Sequence, residues 1–344
     1  MPKVVRTLIL DDSAFARKVI REILSSHPLV EVVGAARDGE EGLEMAATLN
    51  PDIIICDLHM PNVDGVAFVR KQMEMRPVPI LILSSASEDA AEVIDALNAG
   101  ALDVIRKPSA LATDDLRNVR DELIAHIKMA VNAPVENLAR TLTSKPEPSS
   151  APHASKFQVV VIGISTGGPQ ALRHLIPRLP RDFPVPVAIV LHMPVGYTAI
   201  YAEKLNELCP LEVKEAQDGD LLQAGRVLIA PAGRHLNFRR TAAGNVVAHL
   251  TMQPLEKIHR PSADVLFKSV AEIFRQGVLA VVMTGMGDDG KEGSAWVKAQ
   301  GGTVITEAEK SCVIYGMPRS VDEAGLSDAS ITLDDMAQAI TSRT

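Results

Sequence analysis

The chain has 344 residues, enough for two domains that each bury a core. Hydrophobic residues make up 47% and charged residues 23%, an ordinary globular balance, and the net charge of −8 argues against nonspecific binding to nucleic acid or direct insertion into an anionic membrane. No apolar run approaches the ~18 residues of a membrane span, Met1-Pro2-Lys3-Val4-Val5-Arg6 holds no signal-peptide core, and Cys56, Cys209 and Cys312 are too scattered for a disulfide framework or zinc site, so a reducing cytoplasm is the expected compartment.

In chain order, strands are expected at residues 4–10, 30–36, 53–57, 80–83 and 103–105. Helices are expected between them at 13–24, with Ser13 as N-cap, and at 39–49, 65–75 and 88–98. Residues 114–131 have helical spacing and close the first domain. Strands alternating with helices imply an open parallel sheet. The segment 141–152, rich in Pro and Ser, has little to bury and reads as an exposed linker. The alternation then resumes, with apolar runs at 159–162, 187–191, 227–230, 278–283 and 303–306, a helix at 169–179 and a hairpin near 236–250. The expectation is an α/β protein of two doubly wound parallel-sheet domains, at 1–128 and 157–344, with a linker at 129–156.

Asp11 and Asp12 follow the first strand and Asp57 ends the third. In a parallel sheet those ends share one edge, so the three carboxylates converge. Like charges that close repel unless a cation intervenes, and Mg²⁺ held by carboxylates and water is the natural solution. Ser84 ends the fourth strand and Lys107, before Pro108, the fifth, adding a hydroxyl and an ammonium suited to a phosphoryl group arriving on a carboxylate. The set Asp11-Asp12-Ser13, Asp57 with Met60-Pro61 and Asp64-Gly65, Ser84 and Lys107-Pro108 resembles the flavodoxin-like receiver domain of two-component response regulators over residues 4–125. The resemblance implies that Asp57 is the phosphoacceptor and that Asp11, Asp12, Asp57 and the backbone carbonyl of His59 bind Mg²⁺. It also implies that Ser84 and Lys107 contact the phosphoryl oxygens and that a histidine kinase is the phosphodonor. The His59 ring could itself be read as a metal ligand, but a loop histidine of this kind is more often simply exposed. One departure is Val104, where receivers usually carry an aromatic switch residue; the coupling of phosphorylation to surface change is expected to differ accordingly.

In the second domain, Gly163-Ile164-Ser165-Thr166-Gly167 follows a buried strand and precedes a helix. By composition about 0.1 chance matches to G-x-S-x-G are expected in such a chain, so the position of the motif matters more than the pattern. A strand-to-helix turn exposes the hydroxyl, and the helix N-terminus offers unpaired N–H groups to a developing oxyanion. Serine needs a base, usually a histidine oriented by a carboxylate. Of His174, His192, His235, His249 and His259, only His192 ends a strand on the edge that carries Ser165. His174 lies in the helix and points away, His249 falls in the hairpin, and His235 and His259 sit in loops where they could line a pocket. Thr284-Gly285-Met286-Gly287-Asp288-Asp289-Gly290 follows another strand, and residue physics alone leaves Asp288 and Asp289 as alternatives for the acid. The bland readings make Ser165 a helix cap, His192 a buried satisfied histidine and the aspartate a turn residue. The order Ser, His, Asp disfavours the α/β-hydrolases, whose order is Ser, Asp, His.

Gly163 to Pro169, His192-Met193-Pro194, His259-Arg260-Pro261-Ser262 and Thr284 to Gly290 resemble the Rossmann-like protein-glutamate methylesterase domain of bacterial chemotaxis, and a receiver joined to it by a linker is that family's layout. The resemblance selects Asp289 as the acid. It implies hydrolysis of glutamate methyl esters on chemoreceptors, and deamidation of receptor glutamines, by Ser165, His192 and Asp289. Backbone N–H groups at Thr166 and Met286 would hold the oxyanion, with no cofactor in the esterase site. His259 and Arg260 either bind substrate or shape a loop. Leu191 and Ile164 depart from residues frequent in relatives and could alter the pocket without removing a catalytic group.

Three rivals are weaker. A dinucleotide-binding domain would place Ser165 where G-x-G-x-x-G needs a glycine. A DNA-binding regulator would need a basic recognition helix, and none is evident. The third is a catalytically inactive phosphate sink or scaffold. For regulation, the tandem layout suggests a receiver that covers the esterase cleft until Asp57 is phosphorylated.

Overall fold

The computed structural model describes residues 4–84, 90–107, 113–131, 134 and 156–344. The chain divides into two compact units, Met1–Thr143 and Ser144–Thr344. The segment expected to be a linker, 141–152, lies outside the described residues, as do Pro108 and the start of the helix expected from residue 88.

The first unit alternates β1 (Val5–Leu10), α1 (Ala14–Ser25), β2 (Val30–Ala36), α2 (Gly39–Leu49), β3 (Ile53–Asp57), α3 (Gly65–Met75), β4 (Ile80–Ser84), α4 (Ala90–Asn98), β5 (Asp103–Arg106) and α5 (Thr113–Ala130). The strands form a parallel sheet in the order β2-β1-β3-β4-β5. Strand order reverses between β1 and β3, so a crevice opens there beyond the strand ends. β3 and β4 are buried at every position, which is why they read as unbroken apolar runs. The expected cap at Ser13 forms: its Oγ accepts the Ala16 N–H at 3.3 Å. Asp38 and Asp64 cap α2 and α3 in the same way.

The second unit contains β6 (Val159–Ile164), α6 (Gly168–Leu175), β7 (Val187–Leu191), α7 (Thr198–Asn206), β8 (Glu212–Glu215), β9 (Arg226–Ile229), the hairpin β10 (His235–Arg240) and β11 (Val246–Thr251), α8 (Ala263–Phe274), β12 (Val278–Val282), α9 (Lys291–Ala299), β13 (Thr303–Glu307), α10 (Met317–Glu323), β14 (Ala329–Ile331) and α11 (Leu333–Thr341). Seven strands form a parallel sheet in the order β14-β13-β12-β6-β7-β9-β8. β6 is the switch point, with β7 on one side and β12 on the other. The edge strands β8 and β14 escaped the sequence reading because they are short and too polar to form an apolar run. The helix expected over 169–179 ends at Leu175 and tightens into a 3-10 turn over Ile176–Arg178, because Pro177 lacks the N–H that α-geometry needs.

Helix α8 buries Ala263, Leu266, Phe267, Val270 and Ala271, a single stripe at helical spacing. That stripe shares a core with Leu236, Phe238 and Ala248 of the hairpin and with the inner faces of β6, β7 and β12. Packed there, α8 points its N-terminus at the end of β12. No described helix is long and apolar enough to cross a membrane.

Candidate active site and receiver acid cluster

Asp11 and Asp57 are buried at the ends of β1 and β3, Asp12 is exposed, and one ligand oxygen of each lies within 4.8 Å of the others. Lys107 Nζ sits 2.8 Å from Asp11 Oδ2 and 2.8 Å from Asp57 Oδ2. Burial pushes the Asp57 carboxyl up and the Asp11 charge adds to it, while Lys107 pulls the other way. Burial opposes the Lys107 charge, yet its bonds to Asp11 and Asp57 hold the ammonium above its ordinary range. Ser84 is buried, and its carbonyl accepts the Lys107 N–H at 2.8 Å. A compact set of hard oxygen donors fits Mg²⁺. The His59 ring is exposed and stands 3.4 Å from Glu92, and Val104 is buried in β5.

In the second unit, Ser165 and His192 leave neighbouring strands at one rim, and His192 contacts Asp289 there. Ile164 and Leu191 are paired across β6 and β7, and the His192 N–H donates to Ile164 O at 3.1 Å, so Ser165 and His192 leave adjacent strands at one level. His192 Nε2 donates to Asp289 Oδ2 at 2.9 Å. The other ring nitrogen, Nδ1, is buried and has no hydrogen-bond partner among the described residues, and it is the atom left to accept a proton. The Ser165 hydroxyl, half-buried, makes no hydrogen bond among the described residues. Among the described residues no hydrogen bond joins Ser165 to His192; in hydrolases a serine–histidine bond often closes only around substrate.

Asp289, expected from the resemblance alone, is the acid in contact; Asp288 is exposed. The Asp289 carboxylate also accepts the Ser262 hydroxyl at 2.7 Å and the amides of Ala263 at 2.7 Å and Asp264 at 3.1 Å. Those amides begin α8, whose N-terminal dipole favours an anion. Burial alone would push Asp289 up, but the bonds from His192, Ser262 and Ala263 hold it far below the usual carboxylate range. Ser262 follows Pro261 in the His259-Arg260-Pro261-Ser262 motif; as a serine preceding a helix it reads as a cap, and its hydroxyl goes to the acid instead. Asp264 also escaped the sequence reading. Its Oδ1 accepts the Gly290 and Gly293 amides at 2.9 and 2.7 Å and so fixes the start of α9 beside Asp289. Burial and the Asp289 charge push Asp264 up, with Lys257, 2.9 Å away, opposing them.

Gly285 is sterically required. A Cβ there would lie 2.5 Å from Met317 Sδ and 2.7 Å from Ser165 Cβ. The Met286 amide that follows has no hydrogen-bond partner among the described residues. Thr166 is buried, its carbonyl bonded by the Thr284 hydroxyl at 3.0 Å.

The remaining histidines separate. His174 is buried in α6 against Asp334 at 3.0 Å, and His249 pairs with Asp218 at 3.1 Å. His235 is not in a loop: it opens β10 and is fully buried, with Nε2 bonded to Pro254 O. His259 stacks on His192, with ring centroids 4.3 Å apart and planes 16° from parallel. Arg260 braces its own loop by donating to Leu255 O at 3.1 Å.

A five-stranded sheet with an acid cluster and lysine, on one chain with a parallel sheet whose strand ends hold serine, histidine and aspartate, defines a receiver-bearing hydrolase. Family comparison agrees: residues 160–340 match the CheB methylesterase family and residues 7–119 the response regulator receiver domain. A Myxococcus xanthus protein named protein-glutamate methylesterase/protein-glutamine glutaminase 5 is 47% identical over 96% of both chains. A Halalkalibacterium halodurans protein of the same kind is 42% identical over 98% of this chain and 97% of its own. The crystal structure of the Thermotoga maritima CheB methylesterase catalytic domain is 40% identical, with a TM-score of 0.53, over 54% of this chain and 98% of that one. The chain belongs to the CheB methylesterase family and carries that family's receiver domain.

Proposed function

We propose that this enzyme hydrolyses glutamate methyl esters on chemoreceptors, and deamidates receptor glutamines, through a Ser165-His192-Asp289 triad in the cytoplasm. The observation that carries this reading is the His192–Asp289 pair at 2.9 Å, with Nδ1 unpartnered on the strand beside Ser165. Ser165 Oγ attacks the ester carbonyl as His192 Nδ1 takes its proton. Asp289 keeps the other proton on Nε2 and stabilises the imidazolium. The Met286 and Thr166 amides hold the tetrahedral oxyanion. Nδ1 returns the proton to the leaving methanol, or to ammonia from a glutamine, and water activated by the same nitrogen frees the glutamate. No cofactor takes part in this cleft.

In the receiver, spanning 1–128 and joined through 129–156 to the catalytic residues 157–344, Asp57 accepts a phosphoryl group from a histidine kinase. Asp11, Asp12, Asp57 and the His59 carbonyl would hold Mg²⁺, which when bound neutralises charge around the incoming group. Ser84 and Lys107 receive the phosphoryl oxygens, and phosphorylation raises the esterase rate, with Val104 setting the strength of the coupling.

Methanol release from methylated receptor membranes, with and without a phosphodonor, tests both halves. Ser165→Ala lowers kcat on the order of a thousandfold or more, and Asp57→Asn abolishes the phosphodonor response. An S165A protein that demethylates at the wild-type rate would remove Ser165 as the nucleophile, whereas a wild-type chain that releases no methanol would be a phosphate sink or scaffold.

A further inference from the structure

Glu307 closes β13 and is 1% exposed. Among the described residues no cation pairs with it, so its carboxyl has only neutral company. Its Oε2 accepts the Thr284 N–H at 2.9 Å, and its Oε1 lies 3.0 Å from Ser311 Oγ.

Thr284 is the clamp of the cleft. Its carbonyl accepts the Ser165 N–H at 3.0 Å. Its hydroxyl donates to Thr166 O at 3.0 Å and accepts the Ile314 N–H at 3.0 Å. The next residue, Gly285, touches Ser165 and leads to the Met286 amide. Whatever holds Thr284 therefore holds both the nucleophile turn and the loop opposite it.

The hydrogen bonds around Glu307 close when it carries a proton on Oε1. The Ser311 hydroxyl has two acceptors, Glu307 Oε1 at 3.0 Å and Ala308 O at 3.1 Å; when Oε1 is protonated the hydroxyl turns to Ala308 O, and Ser311 Oγ accepts the Glu307 proton together with the Leu333 N–H at 3.0 Å. Ionised, the carboxylate keeps only the neutral donors Thr284, Ser311 and Cys312 and, among the described residues, no counter-charge. Burial pushes its pKa up to about 7. The neighbouring groups do not supply a cation. The Cys312 thiol donates to the Glu307 backbone carbonyl and is itself pushed up by burial and by Glu307. On the α10 side, Asp322 accepts from Thr306 Oγ1 and Tyr315 OH. The turn after β12 contributes the Thr284 amide, and the first residue of α11, Leu333, donates its N–H to Ser311, which in turn bonds the carboxyl.

We propose that Glu307 is a positioning residue of the esterase cleft, which as a neutral acid fixes the nucleophile turn through Thr284 and which on ionising places a buried negative charge behind the oxyanion loop and slows acyl transfer. This rests on the Ser165 reading. Unlike a triad residue, Glu307 touches no reacting atom; it acts through Thr284.

The test is the pH dependence of kcat and KM for methanol release by the full chain, with S165A as the blank. From about pH 6 to about pH 9 the wild type loses kcat, on the order of fivefold, with KM changed less than about twofold. Glu307→Gln reproduces the bonds of the neutral acid. It rescues the rate that Glu307→Leu loses, about tenfold at every pH, and its profile lacks the alkaline decline. An E307Q profile that superimposes on the wild type, or an E307Q rate at about pH 6 as low as that of E307L, overturns the assignment. Should E307L fail to fold, the E307Q profile still decides. S165A separates the two readings: an active S165A removes the triad, whereas an inactive S165A with an unchanged E307Q profile removes only Glu307.

Discussion

Asp57 and Asp289 are the same residue type, end up at the same edge of a parallel sheet and are buried alike, 5% and 7% exposed, yet their carboxyls are driven in opposite directions. Asp57 sits among other acids, with Lys107 shared between it and Asp11. Asp289 sits at a helix N-terminus and accepts from an imidazole, a hydroxyl and two amides. Burial sets the cost of a charge, and the neighbouring donors decide whether the charge survives. The receiver site suits a carboxylate that waits for an added cation and then reacts. The esterase site suits a carboxylate that never changes state and only orients its histidine.

The sharpest break of this contrast is Asp289→Asn, which keeps size and removes charge. It should lower kcat about 10³- to 10⁴-fold by losing the acceptor that fixes the His192 tautomer, whereas Asp57→Asn should cost only the phosphodonor response. Steady-state methanol release checks both. A smaller effect comes from Ser262→Ala, which takes one hydroxyl from Asp289 and leaves its amides; kcat/KM should fall about tenfold while the melting temperature moves by a few degrees at most.

The effect that leaves turnover aside concerns stability. The folded state holds the Glu307 proton to about 7, whereas the unfolded chain releases it near 4.5. The native state therefore binds the extra proton, and the stability it brings is fully present below the lower value and lost as pH rises to the upper one. E307Q removes this dependence and should exceed the wild type by about 3 kcal/mol above neutral pH, read from urea melts across the range. Equal melts at every pH would mean that the carboxyl ionises without penalty.

Much of this was legible in the chain itself. Asp11, Asp57, Ser84 and Lys107, like Ser165 and His192, each end an apolar run, and in a parallel sheet the ends of such runs share an edge. The boundaries of β2, α2, β3, α3 and β7 match their expected positions because hydrophobic period and turn residues agree there. The less legible residues act through contacts that local pattern does not encode. Residue physics left Asp288 and Asp289 equal, and the first turn of α8 chooses between them. His259 lay in a loop with two possible roles until the fold stacked it on His192. His235 read as a loop residue because the strand it opens is held by a long-range hairpin core.

Sequence alone thus determined the two α/β sheets and the strand ends that carry chemistry, since alternating hydrophobic runs and connection lengths are local properties. Tertiary structure decided which donors surround each carboxylate and which ring nitrogen of His192 stays open. Those depend on where α8 and the turn at Thr284 pack, tens to more than a hundred residues from the groups they serve.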